Sequence, residues 1–421
     1  MKLAVIGLGY VGIPLSSLLA RNYEVIGFDT DESKIRKIRD GTIPIKEPGI
    51  EDVLNAAMES GRLKITLEPA QLKDSDVKIL TVGTPYDEKA DFVDYTQLES
   101  ALEIVIPYLK PGDVIILKST VPPGTTMGFV KSKVESSGLK VPADIGLVFA
   151  PERMVEGQAI IDFQTLPKII GASDNRSRAT AEQIFGTLGG KIIAVSNPET
   201  AETIKMVDNY ARYVFLGLTN ELALTCEKLN VDVLEIIRSA KDNYPRNAGL
   251  LFPGPGVGGS CLNKDPFILR GVTRKSGLEL EMLTSAQLIN SQMPKHVFDL
   301  VRRFRKSGIV TILGVAFKGN TDDIRYTPAF QISEMLARSK FQVRLSDPFV
   351  SGVNIFKDIY KTCEGTNILI LLTDHSEYSN IDLPRLKNIM GDDPLIVDTR
   401  GIIDRDEATN NRFEYHGLGR L

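Results

Sequence analysis

The chain has 421 residues, 43% of them apolar and 25% charged, with a formal net charge of −4. That length exceeds what one compact core covers, so two or three domains are expected. The charge balance argues against a nucleic-acid surface, and the longest apolar runs are too short to cross a bilayer as helices. The three cysteines, at 226, 261 and 363, fit neither a disulfide framework nor a zinc spacing. Three histidines, none near another, leave little for a metal site, and the cysteine usage points to the cytosol.

Lys2–Ile6 reads as a strand. Patterned glycines follow it and no A-x-A site is present, so the start is read as a βα unit and not as a signal peptide. Further strands are expected at Glu24–Phe28, Val77–Val82, Val114–Lys118 and Ile145–Phe149. Helices are expected between them at Leu15–Arg21, Glu32–Asp40, Ile50–Ser60 and Tyr95–Tyr108. This alternation implies a parallel sheet covered on both faces. Ser196-Asn197-Pro198-Glu199 then caps a helix in which Ile204, Val207, Ala211, Val214, Leu218 and Leu222 recur at three or four residues. Such length suits a helix that links domains and offers a face to a second subunit. A Gly/Pro-rich loop (243–266) and a helical stretch to about Ser307 come next. From Gly308 the strand–helix pattern restarts, with Val310–Phe317, Phe330–Arg338, Gln342–Ser346, Asn367–Thr373 and Leu395–Asp398. The expected fold is α/β: two Rossmann-like doubly wound domains joined by a long central helix. The expected bounds are 1–195, 196–307 and 308–421.

Gly7, Gly9 and Gly12 form G-x-G-x-x-G between the first strand and a helix, spanning Tyr10 and Val11. Such glycines permit a tight turn and let a pyrophosphate approach the helix N-terminus. Asp29 follows Gly7 by 22 residues and closes the second strand. A carboxylate there accepts from a ribose 2′-OH and repels a 2′-phosphate, which favours NAD over NADP. Arg36, Lys37 and Arg39 lie within the next helix and read as its solvated face.

Cys261 lies in Pro253-Gly254-Pro255-Gly256-Val257-Gly258-Gly259-Ser260-Cys261-Leu262-Asn263-Lys264-Asp265. No apolar stripe surrounds it, and Lys264 puts a cation near a sulfur that must ionise to attack. Cys226 reads as a core residue of the long helix, and Cys363 as incidental. Lys205 and Asn209 share one face of that helix, with Glu202 and Arg212 near it. Thr120 and Glu152 each follow a strand, where α/β proteins place ligands, although ordinary turn chemistry accounts for either alone.

Taken together these segments resemble the UDP-glucose/GDP-mannose dehydrogenase family, which oxidises C6 of nucleotide sugars. The resemblance runs the length of the chain. It rests on Gly7–Gly12, Val82-Gly83-Thr84-Pro85, Ser119–Thr126, Pro151-Glu152-Arg153 with Glu156-Gly157, and the helix with Lys205, Asn209 and Asn220-Glu221. It continues through the Cys261 loop, Gly314–Lys318 with Thr321–Arg325, and Asp398-Thr399-Arg400. The resemblance implies Cys261 as nucleophile, Glu152, Thr120 and Asp265 as water-activating or acid/base residues, and Lys205 and Asn209 as oxyanion and substrate contacts. It implies cofactor contacts from Gly7, Gly9, Tyr10, Val11, Gly12, Asp29, Thr84, Pro85 and Thr120. It implies substrate contacts from Glu156, Gly258, Lys318, Arg325 and Arg400, with Arg246 lent to the neighbouring subunit of a homodimer. Pro253–Gly259, Arg153 and Pro245-Arg246 resemble the branch acting on UDP-N-acetylhexosamines, whereas Ser260, Lys264 and Glu156 resemble the UDP-glucose branch. The implied activity is NAD-dependent oxidation of UDP-N-acetyl-D-mannosamine or UDP-N-acetyl-D-glucosamine to the uronic acid, with no metal. The alternatives are a UDP-glucose 6-dehydrogenase, a simpler two-electron NAD dehydrogenase, and a catalytically idle nucleotide-sugar-binding protein.

Overall fold

Successive residues of the first strand face different cores: Leu3 and Val5 one, Ala4 and Ile6 the other. A strand buried on both sides must be apolar throughout, as in a parallel sheet under two helical layers. A computed structural model describes every residue except 46, 88–91, 156 and 421. The chain forms two units, Met1–Asp208 with Phe267–Leu278, and Asn209–Pro266 with Glu279–Leu421.

The strands of the first unit are β1 (Lys2–Ile6), β2 (Glu24–Phe28), β3 (Leu63–Thr66), β4 (Val77–Leu80), β5 (Tyr86–Asp87), β6 (Phe92–Val93), β7 (Val114–Leu117), β8 (Gly146–Phe149), β9 (Lys168–Ala172) and β10 (Ile192–Val195). Strands β5 and β6 pair with each other, and the rest form one sheet in the order β10-β9-β8-β7-β4-β1-β2-β3. From β3 to β8 this is the doubly wound dinucleotide-binding order, which reverses between β1 and β4 and opens a crevice at their carboxyl ends. The sheet is not wholly parallel as expected: β8 and β9 run antiparallel. Among the described residues their connection holds the short helix Ala159–Thr165, and the chain re-enters the sheet in the opposite direction.

The second unit carries β11 (Gly308–Leu313), β12 (Phe341–Ser346), β13 (Ile355–Phe356), β14 (Ile368–Leu371), β15 (Leu395–Asp398) and β16 (Glu414–Gly417). Their order is β13-β12-β11-β14-β15-β16, and all neighbours are parallel. This repeats the six-strand order of the first unit. The local devices repeat as well. Gly7 (φ +97°) and Gly314 (φ +93°) each turn the chain after the opening strand. Leu8 N–H donates to Asp29 at 2.7 Å, and Val315 N–H donates to Asp347 at 2.8 Å. The two acids differ in their surroundings. Asp347 is fully buried and accepts from His375 Nε2 at 3.1 Å, as well as from Ala316 and Val350 N–H. Burial alone would raise its pKa, but these bonds hold it well below the usual carboxylate range.

Pro198 starts the long helix Pro198–Leu229, and Asn197 Oδ1 caps it by accepting from Thr200 N–H at 2.8 Å. The stretch expected to be helical up to residue 307 is two helices, Asp265–Lys275 and Glu281–Phe304. Gly217 lets the long helix cross Glu281–Phe304 closely, because a Cβ there would lie 2.7 Å from that of Ala286. Next to this crossing, buried Asn220 donates to Asn290 Oδ1 at 2.9 Å, and Asn290 donates to the Tyr213 carbonyl at 3.3 Å.

Candidate active site

In the first unit, Gly12 begins the helix Gly12–Leu19, and a Cβ there would stand 1.9 Å from the Gly7 carbonyl oxygen. Only glycine allows that turn to close. A Cβ at Gly9 would meet nothing within 4 Å, which leaves the space a pyrophosphate requires. Tyr10 is 38% exposed beside this turn. Asp29 is buried at the end of β2 and also accepts from Asp31 N–H at 2.9 Å and Lys34 Nζ at 2.6 Å. Lys34 was not singled out in the sequence, since it sits among the ordinary cations of the helix Glu32–Arg39. Arg36 of that helix pairs with Glu32 on the exposed face, as expected. The glycine turn, the acid and the helix N-terminus fit a dinucleotide.

Across the crevice, the loops after β4 and β7 are tied together. Thr84 Oγ1 donates to the Thr120 carbonyl at 2.5 Å, and Ser119 Oγ donates to the Val82 carbonyl at 2.7 Å. Thr84 is buried by this and Pro85 beside it is exposed. The next loop, after β8, carries Glu152. Its Oε1 accepts from Arg153 and Met154 N–H, each at 2.8 Å, and its Oε2 pairs with Lys118 Nζ at 3.2 Å. In the sequence Lys118 is only the last residue of an expected strand. Glu156 lies outside the described residues.

The long helix bears Glu202, Lys205 and Asn209. Buried Glu202 accepts from Gly124 N–H (2.5 Å), Thr126 N–H (2.8 Å) and Thr126 Oγ1 (2.6 Å), so it clamps the loop that begins at Ser119. Burial raises its pKa to about 7 in spite of these bonds. Lys205, one turn on, is half-buried.

In the second unit, Asn209 Nδ2 donates to Asp265 Oδ2 at 2.6 Å, which fixes the orientation of that amide. Both residues are buried. Cys261 is exposed, whereas Cys226 and Cys363 are buried. The core place expected for Cys226 is found. Cys363 also lies in a core, and burial pushes its thiol up to about 12. The Cys261 loop is held from several sides. Gly254 N–H donates to Asn220 Oδ1 (2.9 Å), Gly259 N–H to the Arg325 carbonyl (2.8 Å), and Asn263 Nδ2 to the Val257 and Gly259 carbonyls (3.0 and 2.9 Å). Gly258 lies against Phe317, and a Cβ on it would come within 2.3 Å of the Phe317 Cβ. Gly254 leaves room for the Arg400 guanidinium, whose Nε donates to the Leu372 carbonyl.

The remaining basic residues are placed differently from one another. Lys318 is half-buried after the Gly314 turn. Arg325 forms a two-pronged pair with Asp323, with Nη2 to Oδ2 at 2.6 Å. Arg246 is exposed in the turn Pro245–Asn247, with its guanidinium 6.0 Å from the Tyr244 ring centre. Among the described residues no group of three or more His, Cys, Asp or Glu side chains could hold a metal, and no helix is long and apolar enough to cross a membrane.

Residues 1–189 match the NAD binding domain of the UDP-glucose/GDP-mannose dehydrogenase family, 199–292 its central domain and 311–405 its UDP binding domain. A UDP-N-acetyl-D-mannosamine dehydrogenase of Methanococcus aeolicus is 33% identical over 99% of this chain and 95% of its own length. A UDP-glucose 6-dehydrogenase of Bacillus subtilis is 30% identical over 100% of this chain and 93% of its own length. The solved structure of a Pyrococcus horikoshii UDP-N-acetyl-D-mannosamine dehydrogenase superposes with a TM-score of 0.91 at 33% identity, covering 100% of this chain and 99% of that one. With all three domains present in order, the chain belongs to the UDP-glucose/GDP-mannose dehydrogenase family and is an NAD-dependent UDP-sugar dehydrogenase.

Proposed function

We propose that the protein oxidises C6 of a UDP-N-acetylhexosamine, UDP-N-acetyl-D-mannosamine or UDP-N-acetyl-D-glucosamine, to the uronic acid through a thioester on Cys261. In this reading residues 1–195 hold NAD, 196–307 supply the thiol and a subunit interface, and 308–421 hold the UDP-sugar. The observation that carries it is the contrast among the cysteines. The exposed thiol stands on a loop of glycines, and the two others are buried. A binding protein without chemistry would not need that thiol. UDP-glucose is the second substrate reading, favoured by Ser260 and Lys264.

Bound NAD supplies the hydride acceptor, once for the alcohol and once for the aldehyde level. An aldehyde is a poor hydride donor. Cys261 Sγ adds to its carbon to give a thiohemiacetal, and loss of hydride from that carbon leaves a thioester. Lys205 and Asn209 supply donors for the C6 oxygen as negative charge develops on it. Asp265 orients Asn209, and Thr120, on the loop after β7, would border the cofactor. Glu152 takes a proton from the water that attacks the thioester. The carbon–sulfur bond then breaks, and sulfur leaves as thiolate.

A panel of UDP-sugars, with NADH counted per uronic acid, tests the substrate and the double oxidation. Cys261→Ser should lose uronic acid formation by more than the ~10²–10⁴-fold typical of losing a proton-transfer group. Glu152→Gln should accumulate a covalent adduct on the peptide carrying Cys261, seen by denaturing mass spectrometry. Near wild-type uronic acid formation by Cys261→Ser overturns the proposal.

A further inference from the structure

We propose that Lys118 is a positioning residue for thioester hydrolysis, holding the Glu152 carboxylate where it meets the attacking water; this rests on the role proposed for Glu152. A lysine only 3% exposed at its side chain needs a reason to be there. Its ammonium donates to the Ala150 carbonyl at 3.1 Å, lies 4.8 Å from the Phe185 ring centre, and pairs with Glu152 Oε2 at 3.2 Å. The aromatic face and the carbonyl fix the cation from the protein side, so its remaining polar direction is toward the carboxylate. Lys168, a second cation near Glu152, bonds the Leu166 carbonyl instead. Glu152 Oε1 is held by two backbone N–H groups, and Lys118 therefore completes the orientation of the whole group.

The step affected is the last one. A water oxygen bonds to the thioester carbon, one water proton passes to Glu152, the carbon–sulfur bond breaks, and sulfur leaves as thiolate. Neither oxidation needs Glu152, so disturbing Lys118 should slow acid release without slowing the formation of NADH in the first turnover. A displacement of about 1 Å can cost on the order of 10²-fold.

The test uses the full-length enzyme, NAD, and whichever of UDP-N-acetyl-D-mannosamine, UDP-N-acetyl-D-glucosamine and UDP-glucose the wild type turns over fastest. Lys118→Met should release acid roughly 10²-fold more slowly, with a normal NADH burst and an adduct on Cys261. Lys118→Arg should restore release in large part. Trapped adduct should rank Lys118→Met, then Lys118→Gln, then Lys118→Arg, and the Lys118→Gln against Lys118→Arg comparison suffices if Lys118→Met does not fold. Lys118→Met added to Glu152→Gln should slow release no further. Equal loss of both oxidations without adduct, or wild-type turnover, overturns the proposal. If Glu152→Gln traps adduct and the Lys118 variants do not, only Lys118 is misassigned. If Glu152→Gln itself releases acid freely, the hydrolytic role of Glu152 falls, and that of Lys118 with it.

Discussion

Glu202 is a carboxylate whose two neighbouring influences disagree. Burial favours its neutral form, and three donors from Gly124 and Thr126 favour its anion; burial prevails, with a pKa of about 7 against an ordinary 4.5. A carboxyl group raised on folding stabilises the fold fully below its unfolded pKa and loses that contribution as pH rises through the folded one. Between about pH 4.5 and 7 the contribution should therefore fade, by on the order of 3 kcal/mol. Thermal unfolding of wild type and Glu202→Gln should show the wild type losing ground to the variant across that window. Parallel curves would mean that the group does not titrate there. The sequence placed Glu202 near the right helix face, but a pKa set by burial against loop amides cannot be read from spacing. Lys118 and Lys34 escaped notice for a similar reason, since an isolated lysine carries no pattern until its partner is known.

At the level of elements, the strands read correctly from the sequence were the continuous apolar ones, such as Lys2–Ile6 and Glu24–Phe28. Those missed were Leu63–Thr66, Tyr86–Asp87, Phe92–Val93, Lys168–Ala172, Ile192–Val195, Ile355–Phe356 and Glu414–Gly417. All of these lie at or next to a sheet edge, where the apolar signal thins. The Cys261 loop was legible from its glycines, but not the reason for each one. For Gly258 and Gly259 that reason is Phe317, some sixty residues away, and for Gly254 it is the Arg400 guanidinium, neither of which sequence spacing brings to the loop. Gly258→Ala tests the packing. Its methyl group would meet the Phe317 Cβ at 2.3 Å, so the loop must shift. Steady-state turnover should fall about 10²-fold, while NAD affinity, followed by titration, should stay within about twofold. Unchanged turnover would show that the thiol tolerates a displaced loop.

For the whole molecule, the long helix leaves Val207, Phe215, Leu218 and Leu229 between 37% and 67% exposed. Apolar side chains on a helix that already has a core to cover suit a second copy of the chain. We therefore expect a homodimer at micromolar concentration in sedimentation, with Arg246 serving the partner's site. Mixing Cys261→Ser with Arg246→Ala subunits should then recover roughly a quarter of wild-type activity, because half of the dimers are mixed and each carries one complete site. A fully active monomer, or no recovery on mixing, would refute the shared site. The two-sheet plan was legible in the sequence as strand–helix alternation, and the antiparallel turn of β9 was not, since direction within a sheet leaves no mark on composition.

The repeat of strand order invites a miscount. An inventory of glycine turns and strand-end acids would credit each chain with two berths for a dinucleotide. In the second, His375 Nε2 lies 3.1 Å from Asp347 Oδ2, and no solvent reaches either side chain. We therefore expect one dinucleotide per chain, with the later sheet, though drawn to the same plan, left to receive the other reactant.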